Sequence, residues 1–170
     1  MVDPLDRFRP KEQVLAQSVL DRLLDGAPDL ALDPPRSVVQ QVADLREAIR
    51  RDLESLLNTR RCPTAPPAIF EELGSALVSY GMDGMVSANL VTDQSKLELA
   101  RSIERRISMF ETRLSQVRVT ILKKDRGNDR VLRMRIQAAF RLHDGLPPIS
   151  FESMIDPSTQ RFQVEAANNG

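Results

Sequence analysis

Residues 102–124, SIERRISMFETRLSQVRVTILKK, change from a helical pattern to a strand pattern within one short segment. Apolar side chains recur at three- and four-residue steps as far as Phe110, which is typical of one face of a helix. From Val117 onwards apolar and polar residues alternate, which is typical of a half-buried strand. Glu111 and Arg113 lie between the two patterns. The segment therefore predicts a helix that ends near Phe110, a sharp corner, and a strand that begins near Val117.

Three more strand patterns follow. Residues 132–142 alternate apolar side chains with arginine and glutamine, and ISFESMI (149–155) and RFQVE (161–165) are short runs between turn sequences. The turns KKDRGNDR, HDGLPP and DPSTQ are short enough to join antiparallel neighbours. Helices followed by strands predict an α+β domain, with the N-terminal helices packed on one face of a small three- to four-stranded antiparallel sheet. The other sheet face is predicted to be rich in arginine.

The N-terminal part of the chain carries its own helical pattern. Residues 13–25, QVLAQSVLDRLLD, have a broad apolar stripe, and GAPDLALDPPRS then contains three prolines. Such a segment is expected to dock either on its own domain or on a partner, and we predict that residues 13–25 contact a partner. The expected organisation is an N-terminal helix with a Pro-rich linker (1–36), a single α+β domain (37–165) and a flexible tail (166–170).

A second helix is predicted to begin after Ser37 as the N-cap and to end near Asn58. The connection that follows is rich in proline and glycine, and we expect it to contain a short helix over 69–79. Its apolar side chains are expected to be packed down rather than exposed. These side chains are Leu77, Val78, Tyr80, Met82, Met85 and Leu90. The next helix is expected to begin near Thr92 or Ser95.

Composition excludes several classes of protein. The formal net charge is zero, with 24 basic and 24 acidic residues, so the whole surface is not built for nucleic acid. A single cysteine rules out an intrachain disulfide, and no apolar run is as long as a membrane span. The N-terminus is charged and lacks the apolar core of a secretory signal, so we expect a cytoplasmic protein. Residues 101–141 hold 12 Lys/Arg against 4 Asp/Glu, which fits either a solvated sheet face or a surface for an acidic partner.

Catalytic and metal-binding patterns have little support in the sequence. His143 is the only histidine and follows the long strand pattern at a turn, and Cys62 has no base nearby in the sequence. Metal-binding and phosphate-binding motifs are missing, so no cofactor is expected. A pair of acidic residues could serve a glycosidase, but the chain has no Trp and one Tyr with which to stack sugars. A peptidoglycan hydrolase of the muramidase type therefore stays open as an alternative.

Several stretches together resemble a known family. SVLDRLLDGAP, IRRDLESLLNTRR, LGSALVSYGMDGM, LARSIERRISMFETRLSQVRV and FESMIDPSTQRFQVE occur in the order seen in TssE proteins. TssE is the family of baseplate subunits of type VI secretion systems, and it is related to the phage baseplate wedge proteins that are sometimes described as lysozyme-like. The family usually has proline between the glutamate and arginine of the corner, where this chain has Thr112. Glu111 and Arg113 match the family pattern.

The resemblance implies a non-enzymatic role in assembly. Proteins of this family sit in a wedge with the TssF, TssG and TssK subunits, at the cytoplasmic face of the inner membrane. They are expected to link to, or to initiate, the contractile sheath of TssB and TssC. No small-molecule ligand, nucleic acid or membrane insertion is implied. Carried onto this chain, the family motif predicts a partner-binding site at Glu111, Arg113 and Leu114.

Two alternatives accompany this interpretation. Glu111 and Arg113 could instead form an internal ion pair that stabilises the corner. The basic region could bind nucleic acid, which would make the affinity fall steeply with salt concentration.

Overall fold

The structure, a computed structural model, describes residues 18–23, 29, 37–64, 67, 69–83, 92–122, 131–141, 148–156, 159 and 161–167. The helices within these residues are α1 (Val19–Leu23), α2 (Val38–Asn58) and α3 (Asp93–Phe110). The strands are β1 (Leu114–Ile121), β2 (Leu132–Phe140), β3 (Ile149–Asp156) and β4 (Arg161–Ala166). Two 3₁₀ turns, Glu71–Gly74 and Leu77–Ser79, precede α3. Helices packed against a four-stranded antiparallel sheet confirm the predicted α+β class.

The chain divides into two compact units, Met1–Ala48 and Ile49–Gly170. In the first unit, α2 begins with reciprocal capping. The Gln40 N–H donates to Ser37 Oγ (3.3 Å), while the Gln40 side-chain oxygen accepts from the Ser37 N–H (3.0 Å). This capping box confirms Ser37 as the N-cap. The predicted domain boundaries at residues 36 and 165 stay predictions.

Some sequence expectations fall on undescribed residues. The helix predicted over 13–25 is described only at 18–23, where Val19, Leu20 and Leu23 are exposed. Most of the Pro-rich linker, the KKDRGNDR turn from Lys123 onwards, His143 and residues 168–170 lie outside the described residues.

In the second unit, α3 packs against β1. It begins at the N-cap Thr92, whose side chain accepts a hydrogen bond from the Ser95 N–H (3.1 Å). Leu99, Ile103 and Ile107 form its buried stripe, as the three- and four-residue spacing predicts. Both long helices are amphipathic, and none of the helices in the described residues combines the length and the apolar character needed to cross a membrane.

The sheet is a meander in which each strand is antiparallel to the next, in the order β1-β2-β3-β4. Its register aligns Val119, Ile136 and Phe151 across three strands, and all three side chains are buried. Alternate residues of β2 point to the same side, as a period of two requires. One face of the sheet is therefore the core, which α3 and the part of α2 from Ile49 onwards cover.

The opposite face of the sheet carries most of its charged side chains. Arg118 lies on β1, with Arg133 and Arg135 on β2, whereas Glu152 and Glu165 lie on β3 and β4. Arg135 Nη2 donates to Glu152 Oε1 across the β2–β3 pair (2.8 Å). The prediction of an arginine-rich face is therefore right for the β1–β2 half. The β3–β4 half is mixed in charge rather than rich in arginine, because it carries Glu152 and Glu165 together with Arg161.

β1 begins three residues before the predicted start. The pairs Ser115–Ala139 and Arg118–Gln137 enclose one more residue on β1 than on β2, which defines a β-bulge. Gln116 lies in the bulge with φ of 53°, in the left-handed region. The bulge interrupts the alternation of side chains. The period of two is therefore visible in the sequence only after the bulge.

The short helix predicted over 69–79 is instead the pair of 3₁₀ turns. The expectation that this segment packs down is right for Met82, which is 4% exposed, and wrong for Leu77 and Val78, which are 83% and 53% exposed. With about three residues per turn, successive side chains of a 3₁₀ turn point in different directions and cannot all face the core. Tyr80 is half-buried, and its ring packs edge-on against Phe110 with 5.3 Å between the ring centroids. Met85 and Leu90 lie outside the described residues.

After the 3₁₀ turns, the chain returns to the end of α2. The Met82 N–H donates to the Thr59 carbonyl (2.8 Å), and the Arg61 N–H donates to the Met82 carbonyl (2.9 Å). Gly81 precedes this contact with φ of +99°. A Cβ added at Gly81 would lie 2.5 Å from the Thr59 carbonyl oxygen. Only glycine allows this close approach of two backbone segments.

We expect Gly81→Ala to lower the free energy of unfolding by roughly 1–3 kcal/mol, because it adds both a backbone strain and a clash. Gly74→Ala is the matched control, since a Cβ added there meets no atom within 4 Å. The free energy of unfolding of the control should lie within about 1 kcal/mol of the wild-type value. Urea unfolding followed by circular dichroism measures both. Equal destabilisation by the two substitutions would contradict the close approach.

Candidate functional site

The corner between α3 and β1 is organised by Glu111, which is the C-cap of α3. Its N–H donates to the Ile107 carbonyl (2.8 Å), and its own carbonyl accepts from the Leu114 N–H (3.2 Å). Its carboxylate Oε1 accepts from the Arg113 N–H (3.2 Å). Hydrogen bonds of Glu111 therefore define the corner on both sides of Thr112. This accounts for a defined helix end without the proline that the resemblance leads one to expect.

The side chains of Glu111 and Arg113 form a bidentate ion pair. Arg113 Nε donates to Glu111 Oε1 (2.7 Å), and Arg113 Nη2 donates to Glu111 Oε2 (2.6 Å). The same Nη2 also donates to Asp52 Oδ2 on α2 (2.5 Å). One guanidinium thus joins two carboxylates, and it links α2 to the helix–strand corner. We call Asp52, Glu111 and Arg113 the corner triad.

Burial and charge act in opposite directions on Arg113. Desolvation lowers the pKa of its guanidinium, but the hydrogen bonds and charges of Glu111 and then Asp52 outweigh that effect and raise the pKa above its usual value. Arg113 therefore stays charged at neutral pH. Both oxygens of Glu111 accept hydrogen bonds from Arg113.

The three residues predicted as a partner-binding site have different environments. Glu111 and Arg113 are brought together, with 8% and 15% of their side-chain surface exposed. Leu114 is fully buried and lies in the core below the corner. Any effect of Leu114 on a partner would therefore be through the position of the corner. The role of these three residues in docking stays a prediction.

Asp52 is a member of the corner triad that the sequence analysis missed. It has 32% of its side-chain surface exposed, more than either of its partners. It precedes Leu53, one of the buried residues of the α2 stripe, and nothing in its local pattern marks it as special. Its distance from Arg113 in the chain is 61 residues, so only the tertiary fold brings the two together.

A second charged cluster links described residues of the connection between α2 and α3 to Arg106 on α3. Arg106 is 9% exposed and donates to the Ser79 carbonyl (3.1 Å) and to Asp83 (3.2 and 3.3 Å). Arg61 donates to the same carboxylate (3.0 Å). We call these four residues the Arg106 clasp. A signal for Arg106 existed in the sequence, because it lies three residues after Ile103 and hence on the apolar face of α3.

The charges of the Arg106 clasp determine the protonation of Asp83. Desolvation raises the pKa of this carboxyl group, but the hydrogen bonds and charges of Arg61 and Arg106 outweigh it and hold the pKa below its usual value. A depressed pKa means that the contribution of Asp83 to stability is present above the unfolded-state pKa and is lost as the pH falls through the folded-state pKa. The clasp therefore weakens only in acid.

The two outer strands of the sheet differ in how side chains cover their edges. On β4, the Asn58 amide pairs with the backbone of Phe162, donating to its carbonyl (2.8 Å) and accepting from its N–H (2.9 Å). Arg50 donates to the next outward-facing carbonyl, that of Val164 (3.1 Å). Side chains of α2 thus imitate a neighbouring strand and protect this edge.

The edge of β1 is more open. The Val119 N–H points away from β2 and donates to Glu104 Oε1 on α3 (2.7 Å). Within the described residues, side chains bond two backbone groups of β1, the Val119 N–H and, through Arg141 Nη2 (3.4 Å), the Leu114 carbonyl at its first residue. On β4 they bond three outward-facing groups. A groove of about 460 Å³ runs between α3 and this edge. Its walls include Leu97 and Arg101 from α3 and Val117–Ile121 from β1.

Other reactive groups are not assembled into a site in the part of the chain that the structure describes. Cys62 is exposed, and no three of the described His, Cys, Asp and Glu residues are grouped to hold a metal ion. The geometry instead offers a largely buried charged corner and an open strand edge.

The comparison with protein families gives these features a context. A family model described as baseplate wedge protein gp25 matches residues 43–144, which contain the corner triad, the Arg106 clasp and the open edge of β1. This chain belongs to the gp25 baseplate wedge family. The match confirms the resemblance to phage baseplate wedge proteins. A gp25-type protein is a structural component of a baseplate, and it interacts with other baseplate proteins. A search of curated proteins found no significant match.

In this gp25-family protein, we expect Arg113→Ala to lower the free energy of unfolding by about 3 kcal/mol, because it leaves two carboxylates together without their cation. Arg135→Ala is the matched control, since it removes an Arg–Glu pair in which both side chains are about 45% exposed. The control should cost about 1 kcal/mol or less. Chemical unfolding of both variants measures the difference. Similar losses would show that the corner triad is no stronger than a surface ion pair.

Proposed function

We propose that this chain is a non-enzymatic subunit of a type VI secretion baseplate wedge, of the TssE type. In this role it docks on TssF, TssG and TssK and initiates the sheath of TssB and TssC. The observation that carries the proposal is the gp25 family match, together with the position of the corner triad and the β1 edge inside the matched residues. Its place would be on the cytoplasmic side of the inner membrane, where such a baseplate assembles.

Docking on the wedge is assigned to the corner. Glu111 and Arg113 hold the corner rigid, and Leu114 anchors it in the core. Thr112 and part of Asp52 remain accessible to a partner. A preformed corner loses little conformational entropy on binding, which favours a stable contact. The triad would therefore have both of the roles that the sequence analysis considered. It would be an internal ion pair, and it would support a docking surface.

Linkage to the sheath is assigned to the open edge of β1. An exposed strand edge can pair with a strand of another protein through backbone hydrogen bonds. β4 is a poor candidate, because Asn58 and Arg50 already occupy its outward-facing groups. On β1, an incoming strand would displace Glu104 from the Val119 N–H and would enter the groove beside α3.

The N-terminal helix is assigned to a further contact with the wedge. The side chains of Val19, Leu20 and Leu23 are exposed in the described part of this helix. An apolar surface of this kind is stabilised when a partner covers it. Hydrogen exchange of residues 18–23 should be slower in the assembled wedge than in the isolated protein.

We expect Ile121→Pro to abolish initiation of the TssB–TssC sheath while the melting temperature changes little. The backbone N–H of Ile121 points away from β2, as that of Val119 does. Proline therefore removes an N–H that β2 does not use. Ala166→Pro is the matched control, because the backbone N–H of Ala166 points away from β3, as that of Phe162 does. Sheath formation is measured by electron microscopy and by sedimentation of TssB–TssC. Loss of sheaths with the control alone would move the assignment to β4.

Arg113→Lys tests docking separately from folding. Lysine keeps the charge but cannot bind Glu111 and Asp52 at once as the planar guanidinium does. We expect co-purification with TssF and TssG to fall about tenfold, with a smaller loss of stability than for Arg113→Ala. Arg135→Lys on the exposed sheet face should leave both quantities unchanged. Binding that falls only in proportion to the loss of folded protein would leave the triad with a structural role alone.

A further inference from the structure

The segment around the two 3₁₀ turns exposes an unusual number of large apolar side chains. Ile69 and Leu77 are 82% and 83% exposed, and Phe70 and Val78 are 57% and 53% exposed. Single exposed apolar residues are common on soluble proteins, but four of them within 11 consecutive residues require an explanation. We call these four side chains the 69–79 patch.

The backbone beneath the patch is fixed by hydrogen bonds. The Leu73 N–H donates to the Phe70 carbonyl (3.1 Å), and Ser79 Oγ donates to the Leu73 carbonyl (2.6 Å). Ser79 is fully buried, and its own carbonyl accepts from Arg106 of the clasp (3.1 Å). The patch is therefore presented by a segment that is hydrogen-bonded to the body of the second unit. Such preorganisation is what a binding surface needs.

The charge of the segment is acidic. Glu71 and Glu72 are both exposed, and residues 69–79 contain no lysine or arginine. A second copy of this chain that bound through the same patch would bring these carboxylates towards each other, which is unfavourable. A partner with basic residues beside its apolar surface would instead be attracted. The segment also offers 3₁₀ turns rather than a strand edge, so pairing of strands is not the mode of contact.

We propose that the 69–79 patch is a docking surface for an amphipathic helix of another protein, with an apolar face flanked by lysine or arginine. The four apolar side chains would contact the apolar face of that helix, and Glu71 and Glu72 would pair with its basic flank. This surface is distinct from the corner triad and from the edge of β1. It gives the protein a third place at which a neighbouring subunit can be held.

The test uses the full-length protein and two fluorescent peptides. One is an amphipathic helix of leucine and lysine, and the other has glutamate in place of every lysine. Fluorescence anisotropy measures the dissociation constant of each peptide. Wild-type protein should bind the leucine–lysine peptide, and Ile69→Lys with Leu77→Lys should weaken this binding at least about tenfold. Val39→Lys on α2 is the matched control, because Val39 is 79% exposed, and this variant should bind as the wild type does.

A charge-reversed variant checks the acidic rim. Glu71→Lys with Glu72→Lys should weaken binding of the leucine–lysine peptide and strengthen binding of the leucine–glutamate peptide. All these positions are exposed, so the variants should have the same melting temperature as the wild type. If the double lysine variant of the patch fails to fold, Leu77→Ser alone serves in its place.

Several results would overturn the proposal. They are equal binding of the leucine–lysine peptide by the wild type and the patch variant, and equal binding of both peptides by the wild type. Displacement of the probe by a peptide of residues 13–25 would make this chain's own N-terminal segment the occupant. Concentration-dependent dimerisation that the patch variant abolishes would make a second copy the occupant. Failure of this proposal would leave the sheath and wedge experiments unaffected, since they use other residues.

Discussion

The second unit depends on the ion pairs that the Arg113 guanidinium makes with two carboxylates. This guanidinium holds Glu111 at the end of α3 and Asp52 on α2, and the corner it stabilises is where β1 enters the sheet. Arg113 also accepts a backbone hydrogen bond through its carbonyl from the Arg141 N–H, at the end of β2 (2.9 Å). A single residue therefore joins two helices and two strands. Because the Glu111 carboxylate is largely removed from water, it needs the cation to remain where it is.

In the Arg106 clasp, too, one arginine side chain joins several parts of the chain. Arg106 lies on the apolar face of α3 and donates hydrogen bonds to Asp83 and Ser79, which links the described residues 69–83 to that helix. The result is a segment with a fixed backbone and exposed apolar side chains. A structural protein that assembles with neighbours benefits from surfaces that are already ordered before binding.

The edges of the sheet suggest how an assembling protein avoids pairing with the wrong partner. Asn58 and Arg50 cover β4, whereas Glu104 covers β1 with one hydrogen bond. The Glu104 carboxylate makes nonspecific pairing of another strand with β1 less favourable, because that strand must first displace it from the Val119 N–H. It still leaves the edge accessible to a strand that makes enough backbone hydrogen bonds. The two outer strands of this sheet therefore differ in how fully side chains cover them.

The sequence by itself determined the α+β class, the long helices and the period-two strands, because local periodicity reports directly which side chains are buried. It also marked Glu111 and Arg113, since a charged pair at a change of period is visible along the chain. Only the tertiary structure decided that Asp52 joins them and that Asn58 covers β4. Those contacts cross 61 and 104 residues of chain, and no local pattern records them. The early start of β1 and the exposure of Leu77 were likewise decided by a bulge and by 3₁₀ geometry, which depend on backbone contacts rather than on residue type.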